Sequence, residues 1–263
     1  MNNMIMLMGI LSAKTDDLTA IPEFTYTGTY SLTDEGNGNF KLKFLTSGKL
    51  TFTKLNSVKN GIDIFLVGAG GGASSGGGGG GGYTQTYTKL TVKKGTEYEI
   101  IVGAGVQNAA GGKSTGFGKT ANGGNAGSNH IGGSGGSGGG GYGGEGGGAG
   151  GSDGSAGHSG GAGQGSTTRE FGSTGATLYS GGGGGGRVKY NYSYSFYEFI
   201  SAPGGDGGGG ASGSGGNANN QNFPSYSGQN GGTNTGGGGG AGNGSATAHA
   251  VGGSGIVIIR NAR

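Results

Sequence analysis

Three stretches of this 263-residue sequence carry residue types at spacings used in catalysis or nucleotide binding. Gly111-Gly112-Lys113-Ser114 resembles the end of a P-loop, where backbone N–H groups cradle phosphates and a lysine reaches them. The glycine that must open such a loop would fall at position 107, which is Gln107, and no long helical pattern follows. Gly72-Ala73-Ser74-Ser75-Gly76 and Gly132-Gly133-Ser134-Gly135-Gly136 match a nucleophile elbow by composition. Neither opens a helix, and a serine hydrolase also needs a positioned histidine and acid. His130, His158 and His249 stand apart in polar glycine sequence without metal-ligand spacing, so they read as solvated loop residues. Carboxylates are sparse, and the absence of cysteine removes thiolate metal sites and disulfides. These residues imply no enzyme, no cofactor and no metal.

Binding chemistry is better represented. Arg187 to Ile200 places Tyr190, Tyr192, Tyr194 and Phe196 at alternate positions, so an extended segment would present them as one ridge, with Tyr197 beside it. Tyrosine offers apolar area and a hydroxyl at low entropy cost, which suits adhesive surfaces, and aromatic faces pack well in protein interfaces and against sugar rings. The same ridge could be a hairpin that covers its own domain or is buried in an oligomer. A polar insert, Asn217 to Asn230, gathers Asn219, Asn220, Gln221, Asn222, Phe223 and Tyr226 around Pro224. Its amides suit glycan hydrogen bonding, and equally an ordinary turn. The candidate binding residues are Tyr190, Tyr192, Tyr194 and Tyr197, with Asn222, Phe223 and Tyr226 secondary.

What must position them is glycine. Of 78 glycines, only Gly9, Gly28, Gly36, Gly38, Gly48 and Gly61 precede Gly68, against an average usage of about 7% in soluble chains. From Gly132 the sequence keeps a three-residue rhythm, GGS-GGS-GGG-GYG-GEG-GGA-GGS and then DGS-AGH-SGG-AGQ. That period matches the polyproline II helix, whose backbone groups have no internal partners and must pair laterally if buried. Only glycine allows such close approach. Packed polyglycine II helices are therefore expected over Gly132 to Gly163, in preference to a flexible linker. Collagen is excluded because the repeat is not sustained and only three prolines occur. The aromatic and amide inserts lie between the glycine blocks 181–186, 204–210 and 236–240. If helices alternate in direction, these consecutive loops would fall at opposite ends unless an extra helix intervenes.

With 30% hydrophobic residues the core must be local, and the apolar residues crowd into 1–102, 188–200 and 256–260. Net charge is only +3, and Gly103 to Gly255 carries five Lys/Arg against five Asp/Glu, so no nucleic-acid patch is implied. Phe40-Lys41-Leu42-Lys43-Phe44 alternates as a half-buried strand, and Ile62 to Val67 reads as a central one. Tyr83 to Val92 reads as a long strand, with Lys93 to Thr96 as a hairpin turn returning through Tyr98 to Val102. Ile256 to Ile259, apolar on both faces, belongs mid-sheet. The expected fold is mainly β: a β-sandwich of residues 24–102 plus 256–263, with 103–255 as a large inserted bundle of polyglycine II helices and exposed loops. Residues 1–23 would be an attachment or oligomerisation segment. Its apolar Met4–Leu11 run is too short to span a bilayer and has no positive leader, so it reads as a plug for a partner or as a buried first strand.

Several blocks resemble the glycine-rich domain family of bacteriophage tail-fibre and adhesin proteins. They are Phe65 to Gly71, Tyr98 to Gly105, Gly165 to Gly172, Gly181 to Gly186 and Gly252 to Arg260, within residues 24–263. The resemblance implies a β-sandwich with polyglycine II helices, tip loops that meet a host receptor, and no catalysis. It further implies partners among host-surface glycans or proteins and other virion proteins, a possible homotrimer, and a place in a virion tail or outside the cell. A bacterial surface or secreted glycine-rich structural protein is the alternative.

Overall fold

The structure, a computed structural model, describes residues 16–74, 76–128, 130–143, 146–191, 196–211, 227–242 and 249–263. The chain is mainly β. Its strands run β1 (Glu23–Tyr26), β2 (Tyr30–Gly36), β3 (Asn39–Phe44), β4 (Gly48–Lys54), β5 (Ile62–Val67), β6 (Thr84–Leu90) and β7 (Glu97–Ile101). There follow β8 (Ser114–Gly116), β9 (Lys119–Ala121), β10 (Tyr142–Gly143), β11 (Gly146–Gly147), β12 (Arg187–Asn191), β13 (Phe196–Ile200) and β14 (Ile256–Asn261). Among the described residues, two antiparallel five-stranded sheets form, in the orders β1-β4-β7-β8-β9 and β2-β3-β14-β5-β6.

Both sheets contribute to one apolar core. In β3 the two-residue period buries Phe40, Leu42 and Phe44 and turns Lys41 and Lys43 to the other face. Leu50 and Phe52 of β4 and Ile100 of β7 join Ile62, Ile64 and Leu66 of β5 and Val257 and Ile259 of β14. The closing strand β14 lies mid-sheet as expected, with Ile259 opposite Leu42 on one side and Ile64 on the other. Its outer face is buried too, which explains its continuous apolar sequence. Phe65, Val67, Ile256 and Ile258 pack with Tyr179, and Leu45 and Phe171 adjoin them. Residues 165–180 therefore lie across this sheet as a cap.

Two features differ from the sequence reading. The Lys93–Thr96 turn does not close a hairpin, because β6 pairs with β5 while β7 pairs with β4. The turn carries the chain from one sheet to the other, and buried Val92 explains why: its side chain enters the shared core as the backbone crosses. The first sheet also continues past residue 102, since β8 pairs with β7 and β9 with β8. Strands of three residues among glycines leave no periodic signal.

The glycine segments leave the sheet ends and form an array held by lateral backbone bonds. The N–H groups of Gly68 to Ala73 donate in turn to Tyr83, Gly112, Gly253, Gly80, Ala109 and Ala250. The targets thus belong to three different segments and recur every third residue. Gly78 to Tyr83 repeat the pattern, donating to Gly140, Gly239, Asn125, Ser137, Gly236 and Asn122. Gly181 to Gly186 do so again, towards Gly207, Gly151, Gly79, Gly210, Gly148 and Gly76. A β-strand would alternate every second residue between two neighbours. Backbone fills the space between segments: a Cβ on Gly79 would lie 2.0 Å from the Gly71 oxygen, and one on Gly183 would lie 2.0 Å from that of Gly239.

These geometries separate two kinds of glycine. Gly183→Ala forces backbone apart and should cost on the order of 3 kcal/mol or more, the upper range of overpacking. Gly95, at φ +74° with open space around it, should cost only about 1 kcal/mol as Ala, for the left-handed backbone. Urea midpoints of the two variants measure the difference, and equal midpoints would contradict the close packing.

Candidate recognition face at the distal end of the glycine array

Hydrogen-bond register gives each segment a direction. Gly68 bonds Tyr83, Gly71 bonds Gly80 and Ser74 bonds Gly77, so the chain climbs from β5 to Ser74 and descends from Gly76 to β6. Other reversals remote from the sheets join this one. Ser128 and Ile131 form a bridge, Tyr142 N–H donates to the His130 oxygen at 2.7 Å, and Gly141 N–H donates to that of His158 at 3.1 Å. Gly186 N–H meets the Gly76 oxygen at 3.1 Å, so the β12–β13 hairpin springs from the same end. A short segment then descends beside Gly182, turns at Asp206–Gly208 and climbs again, with Gly205 donating to Gly182 and Gly184 to Gly210. This added pair of segments brings the exit at Ala211 to the distal end as well. Ala241, bonded to Gly184, lies there too.

The hairpin sets Tyr190 directly opposite Tyr197 and Lys189 opposite Glu198. Tyr192 and Tyr194 lie outside the described residues, as do Asn222, Phe223 and Tyr226. Sequence reading passed over other side chains at this end. Ile131 is 60% exposed, Val106 and Tyr142 are each 36% exposed, and the His130 ring meets the Tyr142 ring edge-on at 4.6 Å. The available signal was an isolated large residue inside a glycine run, as at Ile131 and Tyr142. His249 is buried just before Ala250, and desolvation lowers its pKa, which favours the neutral imidazole. Among the described residues no group of three or more His, Cys, Asp or Glu is placed to hold a metal ion. A cleft of about 520 Å3 near the array's sheet end is lined by Thr29, Leu45, Val102, Asn234 and neighbours, none of them ionisable.

Charged chemistry concentrates instead beneath the cap. Glu170 is buried and receives Lys41 Nζ at 2.5 Å, Lys43 Nζ at 3.5 Å and the Tyr179 hydroxyl at 3.2 Å. Burial pushes its pKa up, but the two ammonium groups and the tyrosine hydrogen bond outweigh that and hold it below the usual value. Burial and the adjacent carboxylate drive the Tyr179 hydroxyl well above its ordinary range. Nearby, buried Asp63 pairs with Arg260 at 3.1 Å and accepts Lys89 N–H, while the Arg260 guanidinium lies 4.1 Å from the Phe171 ring centre. Asp153, in a turn at the sheet end of the array, accepts the Thr167 hydroxyl and Thr168 N–H and pairs with Arg169. These contacts tie cap, sheet and array together, with the loop face held at the far end.

Fold and site together define a mainly β protein whose sheets anchor a hydrogen-bonded glycine array that carries loops at one end. The chain belongs to the glycine-rich domain family, whose model matches residues 46–262. Comparison with curated proteins and with solved structures gives no match.

The depressed Glu170 pKa fixes a pH dependence. Its stabilisation is complete above the unfolded carboxyl value near 4.5 and is lost as pH falls through the lower folded value. Amides of 168–180 should therefore exchange faster at acidic pH, after correction for intrinsic rates. Glu170→Gln should remove that step and destabilise the fold by roughly 2 kcal/mol, a buried-pair loss discounted for partly exposed lysines. An unchanged pH profile in this variant would assign the step to other carboxylates.

Proposed function

We propose that this protein is a non-enzymatic structural and adhesive component of a phage or phage-like particle, a tail fibre or its tip. In this reading the two sheets form a β-sandwich and the array is a bundle of polyglycine II helices. The distal loops bind a host-surface glycan or protein. Other virion proteins hold the opposite end, and the working form is a homo-oligomer such as a trimer. The observation that carries the reading is the convergence of chain reversals on one face away from the sheets. Between glycine segments, backbone groups are spent on neighbours and side chains are absent, so recognition falls to the residues that interrupt them. The three-residue recurrence of bonding partners supports the polyglycine II assignment.

Replacing Tyr190, Tyr192, Tyr194 and Tyr197 together by serine should abolish binding to host cells or a glycan array while thermal unfolding stays unchanged. Loss of the fold or of assembly would make the hairpin structural. Retained binding by a folded variant would move the site to another loop. Order in the bundle has its own measurement: amides of Gly132 to Gly163, many of them bonded between segments, should exchange far more slowly than in a free peptide. Exchange at free-peptide rates throughout would remove the helical assignment.

A further inference from the structure

The least protected part of the sheets is strand β2. It is an outer strand, and all seven of its residues are exposed. Tyr30 and Leu32 lie opposite Phe44 and Leu42, so they face the core side of the sheet, yet they remain 44% and 37% exposed. The Tyr30 ring meets Phe24 at 5.4 Å and Tyr26 at 6.1 Å across the gap to β1, the outer strand of the other sheet. The core thus opens to solvent along a seam between β1 and β2. An outer strand usually discourages pairing with lysine, proline or a cover. Residues 30–33 carry no charge and no proline, while Asp34, Glu35 and the register shift between Asp34 and Gly36 blunt only the end of the strand next to the turn into β3.

The chain just before the seam supplies an occupant. Asp16 lies by Asn56, and the Leu18 carbonyl sits against Gly38, where a Cβ would be 2.2 Å from its oxygen. The chain therefore comes to Asp16 beside the turn that joins β2 to β3. Residues 1–15 lie outside the described residues, and Met4–Leu11 is apolar except for Gly9. Eight extended residues reach about 26 Å, enough to follow β2 from end to end, and the four residues 12–15 can bridge about 13 Å. We propose that Met4–Leu11 adds to the free edge of β2, runs in the same direction and covers Tyr30 and Leu32. Tethering at the end of this edge gives the segment an effective concentration in the millimolar range, which a second copy in dilute solution does not match. Adding one parallel strand to an antiparallel sheet makes a mixed sheet, a common arrangement.

The test is amide hydrogen exchange on the full chain, its Ile5→Asp/Leu7→Asp variant and its Leu32→Lys variant. In the unaltered chain the outward amides of Tyr30–Gly36 should be protected. Both variants should speed their exchange at least about 10-fold, as for a strand released to local opening, while β14 amides stay slow. Equal β2 rates in all three proteins would overturn the proposal. So would β2 protection that rises with protein concentration alongside a dimer mass in light scattering, because a second copy would then hold the edge. If the double variant loses β14 protection as well, it has unfolded, and Leu32→Lys decides.

Discussion

Lateral backbone hydrogen bonding between glycine segments is the constraint on which the other features depend. Each buried peptide group needs a partner, and the array supplies one from a different segment at each step of three residues. Distances of 2.8 Å for Gly71 to Gly80 and Gly79 to Gly239 leave no room for a Cβ between the chains. Composition follows from that spacing. Alanine and serine enter where a side chain can be housed, as with buried Ala69, Ala73, Ser137 and Ala241. Ser180 shows the exception well, because its hydroxyl bonds the Gly82 carbonyl while its backbone takes φ +63°.

Such an array is a poor candidate for folding unaided. Ordering one residue's backbone costs about 1–2 kcal/mol, and glycine is at the unfavourable end. A backbone hydrogen bond returns a net 1 kcal/mol or so. With little apolar surface between segments, the two nearly cancel, and the balance must come from elsewhere. It comes from the sheet end. The first climbing segment continues β5, the first descending one enters β6, and the last runs into β14, all three in the sheet that packs apolar clusters on both faces. The cap contributes in the same place, since Tyr179 lies in the second apolar cluster and Ser180 begins the next climbing segment.

Strands with a side-chain period were legible in the sequence, because alternation at Phe40 to Phe44 and continuity at Ile62 to Val67 each reflect what their faces touch. The central place of β14 was legible for the same reason. The crossover at Lys93–Thr96 was not, because a turn sequence specifies a reversal without specifying which sheet receives the next strand. Short β8 and β9, and the cap over residues 165–180, had no period to betray them. Phe171 and Tyr179 acquire their role through contacts far away in sequence, among them Phe65 at 5.8 and 5.5 Å. Of the candidate site, the positions of the interruptions were legible and their convergence was not. Convergence depends on the turn at Asp206–Gly208, which sequence presents as one more glycine block.

That turn also explains why long inserts can sit in a rigid array. Register between segments is set by bonds such as Gly184 to Gly210, Gly210 to Gly238 and Ala241 to Gly184, all within the glycine blocks themselves. Among the described residues between Gly186 and Ala202, none takes part in these bonds, since β12 and β13 pair with each other. An insert of another length between the same two anchors leaves every one of these bonds in place, and loop-closure entropy grows only slowly with length, about 0.6 kcal/mol per doubling. Loops at the sheet end lack this freedom. The cap there must place Glu170 on Lys41 and Asp153 on Arg169, and Phe171 on Arg260. The fold therefore confines variation to one end and fixes the other, a division produced by where side chains are allowed to exist.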